Sequence, residues 1–115
     1  MSNNNPFTLS SHSTDNYEPF MLGDKQAGEV HWLTTENSSG QIMYSGFWRC
    51  EPMTFEYEFP GDEIIHVLAG NLLIDLGNGE TVTLQTGDIA SFNKGLKTTW
   101  TIQDSFQKFF VISNC

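Results

Sequence analysis

Short runs in which apolar and polar residues alternate follow one another along most of this chain, and turn-forming residues separate them. Alternation with a period of two is typical of a strand with one buried face, and β-branched and aromatic residues favour the same structure. No segment carries an apolar stripe of helical period over a useful length. The pattern predicts strands at residues 29–34, 41–49, 55–59, 64–68, 72–76, 81–84, 89–92, 97–103 and 106–113.

Turn signals connect these runs at short intervals. Asn78-Gly79 predicts a type I′ hairpin that joins 72–76 to 81–84. Gly46 interrupts the second run, where a bulge or close packing of two backbones suits a residue without a side chain. Short strands separated by turn signals at intervals of about eight to twelve residues predict an all-β sandwich or barrel.

The N-terminal segment has a different composition from the remainder. Residues 1–19 are rich in Ser, Asn and Thr and show little apolar periodicity. We therefore predict a flexible tail over 1–20, with a short strand around 7–9, because such a sequence buries too little apolar surface to fold by itself. Residues 21–115 are predicted to form a single domain, as the chain length of 115 residues suggests.

Charge and cysteine content exclude several classes of protein. Five basic residues stand against 14 acidic residues, giving a net charge of −9. This balance argues against binding to nucleic acid or to an anionic membrane surface, since both require clustered positive charge. The sequence shows neither a secretion signal nor an apolar run long enough to span a membrane. Cys50 and Cys115 lack the spacing of a metal-binding pair, so we predict two reduced thiols in a cytoplasmic protein.

Six short motifs follow one another between Gly46 and Phe110. They are Gly46-Phe47-Trp48, Glu63 with Gly70, Asn78-Gly79-Glu80, Gly87-Asp88 with Phe92, Lys94-Gly95 with Trp100, and Lys108-Phe109-Phe110. Together they resemble a small single-domain cupin, and they most resemble the branch that contains (S)-ureidoglycine aminohydrolase and the ethanolamine-utilisation cupins. This resemblance implies the all-β cupin double-stranded β-helix, an RmlC-like jelly-roll barrel. It also implies a homodimer and a small-molecule ligand in the mouth of the barrel.

Metal-binding cupins carry a His-x-His motif, a following Glu and a later His, and Glu63 is the only residue of this set that the chain retains. Counting back from Glu63 with the four-residue gap of the family pattern places Glu56 and Glu58 at the histidine positions. The three-residue gap places Tyr57 and Phe59 there instead. The later histidine position falls on Thr98. The resemblance alone therefore leaves open a Mn²⁺-type site formed by Glu56, Glu58 and Glu63.

The two gaps correspond to two opposite orientations of one strand, because a slip of one residue turns every side chain to the other face. With Glu56 and Glu58 inside, each carboxylate would lose several kcal/mol to desolvation. The three aromatic residues at 55, 57 and 59 would then each forfeit roughly 1.5–3 kcal/mol of burial. Without a metal, the orientation with the aromatic residues inside is favoured by about 10 kcal/mol. We predict that orientation and no cofactor, with Mn²⁺ as the alternative.

Glu63 faces inward in either orientation, because it shares a strand face with Ile65 and Val67. An inward carboxylate requires polar partners. If Lys108 pairs with it, the pair is either structural or part of a catalytic site. A poorly paired Glu63 would have a raised pKa and would act as a general acid or base. The candidate partners are Lys108, Thr98, the Tyr57 hydroxyl and the Trp100 indole.

These residues predict a cupin that binds a small polar molecule in an aromatic-lined pocket around Glu63, which is also the candidate catalytic residue. The predicted ligand-binding residues are Tyr57, Phe59, Glu63, Thr98, Trp100 and Lys108. Two alternatives remain: a Mn²⁺-dependent enzyme resembling ureidoglycine aminohydrolase, and a non-catalytic accessory module whose barrel is filled. The sequence leaves open whether the protein is an enzyme, since a fold does not fix a function.

Overall fold

The alternating sequence folds into ten β-strands, which a computed structural model describes together with their connecting loops over residues 6–115. The strands are β1 (Glu18–Leu22), β2 (Lys25–Glu36), β3 (Ile42–Cys50), β4 (Met53–Glu58), β5 (Asp62–Ala69), β6 (Leu72–Asp75), β7 (Thr81–Leu84), β8 (Ile89–Phe92), β9 (Lys97–Ile102) and β10 (Phe106–Ser113).

The strands form two sheets that pack face to face. One sheet has the order β1-β2-β3-β10-β5-β8 and the other has the order β4-β9-β6-β7. Every neighbouring pair is antiparallel. Alternate residues of each strand point into the space between the sheets, where the buried apolar side chains form one core cluster. The predicted all-β jelly roll is thus confirmed.

All nine predicted runs form strands, and β7, β8 and β10 have the predicted bounds. The sequence pattern did not predict β1, and it wrongly predicted a strand at residues 7–9, which form none. Pairing explains β1: its sequence EPFML has weak periodicity, but its backbone bonds to β2 from Glu18 opposite Val30 to Leu22 opposite Lys25. Residues 18–20 of the predicted tail therefore belong to the sheet, whereas residues 1–5 lie outside the described range.

Gly46 lies where two strands approach closely, as predicted. A Cβ atom at this position would collide with the backbone carbonyl oxygen of His31 on β2. The register of β2 against β3 shifts next to Gly46, between Trp32 and Thr34, which marks a bulge in β2. A glycine is needed here because the bulged backbone occupies the space of a side chain.

The hairpin at Asn78-Gly79 forms, but its predicted turn type is wrong. β6 pairs with β7 as expected. A type I′ turn needs positive φ at both central residues, and Asn78 does not have it. Instead Gly77 (φ 78°) and Gly79 (φ 89°) take the left-handed conformation, and the Leu76 amide donates to the Glu80 carbonyl over 3.0 Å. The loop is longer than a two-residue turn because the two glycines together reverse the direction of the chain.

Both cysteines are free thiols, as predicted. Cys50 is buried, and burial followed by the charge of Glu51 raises the pKa of its thiol to about 11. Cys115 is exposed at the C-terminus. Across residues 6–115 there is no helix with the length and apolar character needed to cross a membrane.

Candidate functional site

The orientation of β4 decides what faces the barrel interior. Phe55, Tyr57 and Phe59 are 4%, 9% and 1% exposed, whereas Glu56 and Glu58 lie on the solvent side. The predicted orientation, with the aromatic residues inside, is therefore the one that forms. It is favoured because the rings bury large apolar surfaces while the two carboxylates stay hydrated.

Glu63 is a completely buried carboxylate on β5, with an exposed fraction of 0%. The Lys108 ammonium donates to its Oε2 over 2.6 Å, and the Tyr57 hydroxyl donates to its Oε1 over 2.7 Å. Lys108 on β10 pairs with Val67 of β5, and Glu63 on β5 pairs with Ile112 of β10, so the two side chains share one face of the sheet and the long lysine side chain reaches along it to the carboxylate. Each carboxylate oxygen thus has a partner, and the burial of the charge is compensated.

The other two candidate partners of Glu63, Thr98 and Trp100, donate their hydrogen bonds to other groups. The Thr98 hydroxyl donates to the backbone carbonyl of Tyr57 over 2.7 Å. The Trp100 indole N–H donates to the Thr98 hydroxyl over 3.0 Å. The first bond ties β9 to β4, and the second, within β9, orients the Thr98 hydroxyl toward the tyrosine whose own hydroxyl reaches Glu63. Thr98 and Trp100 therefore act on Glu63 through Tyr57.

Lys108 lies in an aromatic enclosure. Its Nζ is 4.7 Å from the Trp100 ring centroid, 5.0 Å from that of Phe110 and 5.2 Å from that of Trp48. Ring faces attract an ammonium ion, and such contacts strengthen when water is excluded. The ammonium has three N–H donors. In the part of the chain that the structure describes, only one of them has a hydrogen-bond acceptor, Glu63.

Burial shifts the pKa of both partners of Glu63. Desolvation lowers the pKa of the Lys108 ammonium, and the charge and hydrogen bond of Glu63 oppose that effect. Desolvation also raises the pKa of the Tyr57 phenol, and the charge of Glu63, the hydrogen bond to Glu63 and the charge of Cys115 raise it further. Protons are therefore held tightly by the phenol and less tightly by the ammonium than in water.

Tyr57 is expected to make folding sensitive to alkaline pH. Because its folded pKa is raised, its stabilising contribution is complete below the ordinary pKa of about 10 and falls above it by up to ~1.4 kcal/mol per pH unit. The contribution of Lys108 to the pH dependence of stability has the opposite sign, but Lys108 is present both in wild type and in Tyr57→Phe. The difference between their free energies of unfolding, measured with urea from about pH 8 to about pH 11, should therefore decline above pH 10.

Tyr17→Phe is the matched control for this measurement, because the Tyr17 hydroxyl contacts Gln107 and lies away from Glu63. Its difference from wild type should not follow the same alkaline decline. An equal slope in Tyr57→Phe and wild type would contradict the buried environment of the phenol.

A small cavity adjoins the ion pair between the two sheets. Its volume is about 30 Å³. Since one water molecule needs roughly 10–15 Å³ by this measure, the cavity has room for about two water molecules or one molecule of a few heavy atoms. Its lining consists of Phe20, Val30, Trp32, Trp48, Phe55, Tyr57, Glu63, Trp100, Lys108, Phe110 and Ile112. Among these residues, only the Glu63–Lys108 ion pair and the Tyr57 hydroxyl contribute prominent polar groups.

The structure brings four of the six predicted ligand-binding residues to this cavity: Tyr57, Glu63, Trp100 and Lys108. The other two do not line it. Phe59 stacks on Phe92, with ring centroids 4.9 Å apart and planes at 14°. Thr98 is buried, and its hydroxyl donates to the backbone carbonyl of Tyr57.

Sequence reasoning missed most of the apolar walls. A signal existed for some of them: the period of two places Phe110 and Ile112 on the face of Lys108, and Phe55 on the face of Tyr57. No comparable signal marked Phe20, because β1 was not recognised as a strand. Phe20 and Trp32 are half-buried, and all other lining residues are buried, so these two form the mouth of the cavity.

The residues around Glu63 do not fit a divalent cation. The alternative ligand set fails because Glu56 and Glu58 point away from Glu63, and residues 6–115 contain no group of three or more His, Cys, Asp or Glu side chains arranged for a metal ion. Both Glu63 oxygens accept hydrogen bonds, one from an ammonium that would repel a second cation.

The two facing antiparallel sheets and the inward glutamate on β5 define a protein of the cupin class. Over residues 37–110, which is more than half of its length, the chain matches the EutQ-like cupin domain, and it belongs to that family. No curated protein matches it.

Solved structures agree with this assignment. A putative ethanolamine utilization protein Q from Salmonella typhimurium has a TM-score of 0.64 and 26% identity, over 73% of this chain and 67% of that one. The EutQ protein of Clostridium difficile has a TM-score of 0.61 and 26% identity, over 71% and 58%. A protein of unknown function from Pseudomonas syringae shares the fold, with a TM-score of 0.71 and 20% identity, over 84% and 44%. The predicted cupin relationship is confirmed, and the likeness to ureidoglycine aminohydrolase stays a resemblance.

Proposed function

We propose that this cupin binds a small polar molecule inside the barrel, next to the Glu63–Lys108 pair, and that it does so without a metal. The observation that carries the proposal is the position of the cavity. It adjoins a fully buried charged pair and is otherwise walled by apolar and aromatic side chains. A few convergent polar groups in an apolar hollow are typical of sites for small ligands.

The free hydrogen-bonding capacity of the site indicates which atoms the ligand carries. Both oxygens of Glu63 accept hydrogen bonds from the protein, whereas Lys108 has N–H groups to spare. The ligand therefore presents an acceptor such as a carbonyl oxygen. Glu63 cancels the charge of Lys108, so a neutral acceptor suits the site better than an anion. The cavity volume of about 30 Å³ restricts the ligand to a few heavy atoms unless Phe20 and Trp32 move outward.

Thermal unfolding in the presence of small amides tests the binding. Acetamide and formamide are expected to raise the melting temperature of wild type, because a ligand that binds only the folded state stabilises it by mass action. Glu63→Gln should abolish the shift, since it removes the charge that holds Lys108 in place.

Glu58→Gln makes the same chemical change on the solvent side of β4, where it should leave the ligand-induced shift intact. If the shift survives in Glu63→Gln, the ligand binds elsewhere. If wild type shows no shift with any small acceptor molecule, the binding proposal fails.

The metal-free part of the proposal has an independent measurement. Elemental analysis of protein purified without added metal should find far less than one Mn, Fe, Ni or Zn ion per chain. About one ion per chain would support the metal-enzyme alternative and contradict the proposed site.

The size of the cavity favours a second candidate function, that of a non-catalytic accessory module. Pockets for drug-sized ligands are roughly 300–1,000 Å³, far larger than the space beside Lys108. Under this proposal the ion pair only specifies the packing of the barrel. Small amides would then leave the melting temperature of wild type unchanged, which separates the two candidates.

We further propose that two copies pair through the outer face of the larger sheet, as the resemblance to cupins implies. A row of side chains crosses this face over β2, β3, β10, β5 and β8, in the order His31, Phe47, Phe109, His66 and Ile89. Ile89 is 69% exposed, a large apolar surface for a lone chain.

The composition also supports a cytoplasmic protein without a nucleic-acid partner.

Light scattering tests the pairing. Ile64 lies two residues before His66 on the same face of β5 and is 48% exposed. Wild type should show the mass of a dimer, and Ile64→Glu combined with Ile89→Glu should give the mass of a monomer, because buried unpaired carboxylates are costly. Ile42→Glu changes another isoleucine, 58% exposed, that lies away from this row, and this variant should remain dimeric. A monomeric wild type would contradict the proposal.

A further inference from the structure

The position of Lys108 in the lining of the cavity points to more than hydrogen bonding. We propose that Lys108 captures small aldehydes and ketones as an iminium adduct, with Glu63 moving the protons. This inference rests on the proposed binding function and names its ligand class: a carbonyl compound of about three or four heavy atoms, the size that a cavity able to hold about two water molecules admits.

Three features of the geometry support this chemistry. Lys108 lines the cavity, and so do Trp48, Trp100 and Phe110, the three rings that surround its nitrogen, so a small carbonyl compound in the cavity lies near the amine. The same three rings shield the nitrogen from bulk water. A carboxylate already accepts a hydrogen bond from this nitrogen over 2.6 Å, within the reach needed for general acid–base catalysis.

The desolvated surroundings favour the neutral form of the lysine, which is the nucleophile. Lysines that form Schiff bases are activated by burial in an apolar pocket. Here burial lowers the pKa of Lys108, although the neighbouring carboxylate opposes that effect. Transfer of the shared proton to Glu63 converts the ion pair into two neutral groups, at a modest cost where charges are poorly solvated.

The steps balance in atoms and charge. Lys108 passes a proton to Glu63, and its nitrogen lone pair attacks the carbonyl carbon, while the carbonyl π electrons move to oxygen. The protons rearrange to give a neutral carbinolamine, with Glu63 still protonated. Glu63 then donates its proton to the hydroxyl group, which leaves as water as the nitrogen lone pair forms the C=N bond. The product is an iminium ion paired with the Glu63 carboxylate, so the net charge of the site is unchanged.

The hydroxyl of Tyr57 has a positioning role in this sequence. It donates to the Glu63 oxygen that Lys108 does not use, so it fixes the carboxyl group while the other oxygen exchanges a proton with the nitrogen. The raised pKa of the phenol keeps this donor protonated throughout.

Reductive trapping of wild-type protein tests the proposal. The protein is incubated at neutral pH with acetaldehyde and cyanoborohydride, which reduces an iminium ion to a stable ethylamine. Peptide mass spectrometry then compares Lys108 with Lys25, Lys94 and Lys97, which are exposed. Because burial lowers the pKa of Lys108 and leaves more of it as free amine, we expect Lys108 to be ethylated severalfold faster than the other three.

Two controls use the same protein. In guanidinium chloride the chain is unfolded, and the preference for Lys108 should disappear. Acetamide, which has the shape of a small carbonyl compound but forms no iminium ion, should slow ethylation of Lys108 and leave the exposed lysines unaffected.

The outcomes separate this inference from the binding proposal. If acetamide stabilises the folded protein but Lys108 reacts no faster than the exposed lysines, the carbonyl chemistry is wrong and the binding site stands. If acetamide has no effect and Lys108 stays unmodified while the exposed lysines react, both proposals fail. Preferential ethylation of Lys108 that acetamide suppresses supports both.

Discussion

Lys108→Met is expected to lower the free energy of unfolding by about 3–5 kcal/mol, because it leaves the carboxylate of Glu63 buried without its counter-charge. Glu63 is 0% exposed, and its other hydrogen bond comes from the neutral Tyr57 hydroxyl, so within residues 6–115 Lys108 is the only positive group paired with it. Methionine has a shape close to that of the lysine stem, so the loss measures charge rather than packing. Urea-induced unfolding at neutral pH gives the value.

The matched variant combines Lys108→Met with Glu63→Leu. Replacing both members of a buried ion pair by apolar residues of similar volume is often neutral or even stabilising. We therefore expect the combined variant to be more stable than Lys108→Met by several kcal/mol. If the two changes were simply additive, the pair would not be coupled, and the site described here would be wrong.

Trp100→Ala is expected to lower the free energy of unfolding by about 3–5 kcal/mol, because it removes a ring that packs against several other aromatic rings in the core. Trp100 is 1% exposed. Its ring centroid lies 4.9 Å from that of Tyr57, 5.7 Å from that of Phe55 and 5.8 Å from that of Trp48. The void left by alanine would loosen the walls around Lys108 and remove the indole donor to Thr98. Urea-induced unfolding measures this change as well.

Two controls bracket this loss. Trp100→Phe keeps most of the ring volume and should cost less than alanine. Phe7→Ala removes an aromatic ring that is 71% exposed, and it should change the free energy of unfolding by no more than about 0.5 kcal/mol. A cost for Trp100→Ala as small as that for Phe7→Ala would show that the cluster does not support the barrel.

The period of two in the sequence was sufficient to predict most of the sheet structure. In β4 and β10, strict alternation sorts side chains to the two faces, and the bounds of β10 follow directly from it. The same rule gave the orientation of Glu63 and of the aromatic residues near it. The pattern did not predict β1, because EPFML has no such alternation. It predicted the wrong turn type between β6 and β7, because two glycines together reverse the chain where the Asn-Gly pair was expected to do so alone.

The candidate site was only partly predictable, since its parts come from distant positions. Lys108 was a candidate partner of Glu63, but 45 residues separate the two, and only the pairing of β5 with β10 sets the 2.6 Å contact. Thr98 was a candidate partner on the same grounds, and the structure places it behind Tyr57 instead. The mouth of the cavity at Phe20 and Trp32 depends on how β1 and β2 join the sheet.

The sequence by itself determined the inward and outward faces of most strands, because alternation is a local property that burial energy enforces on each strand separately. It thereby placed Glu63 inside and kept Glu56 and Glu58 in solvent. Only the tertiary structure decided which groups meet Glu63 and how much space remains beside Lys108. Those features depend on strand register and on packing between the two sheets, which are cooperative properties of the whole chain.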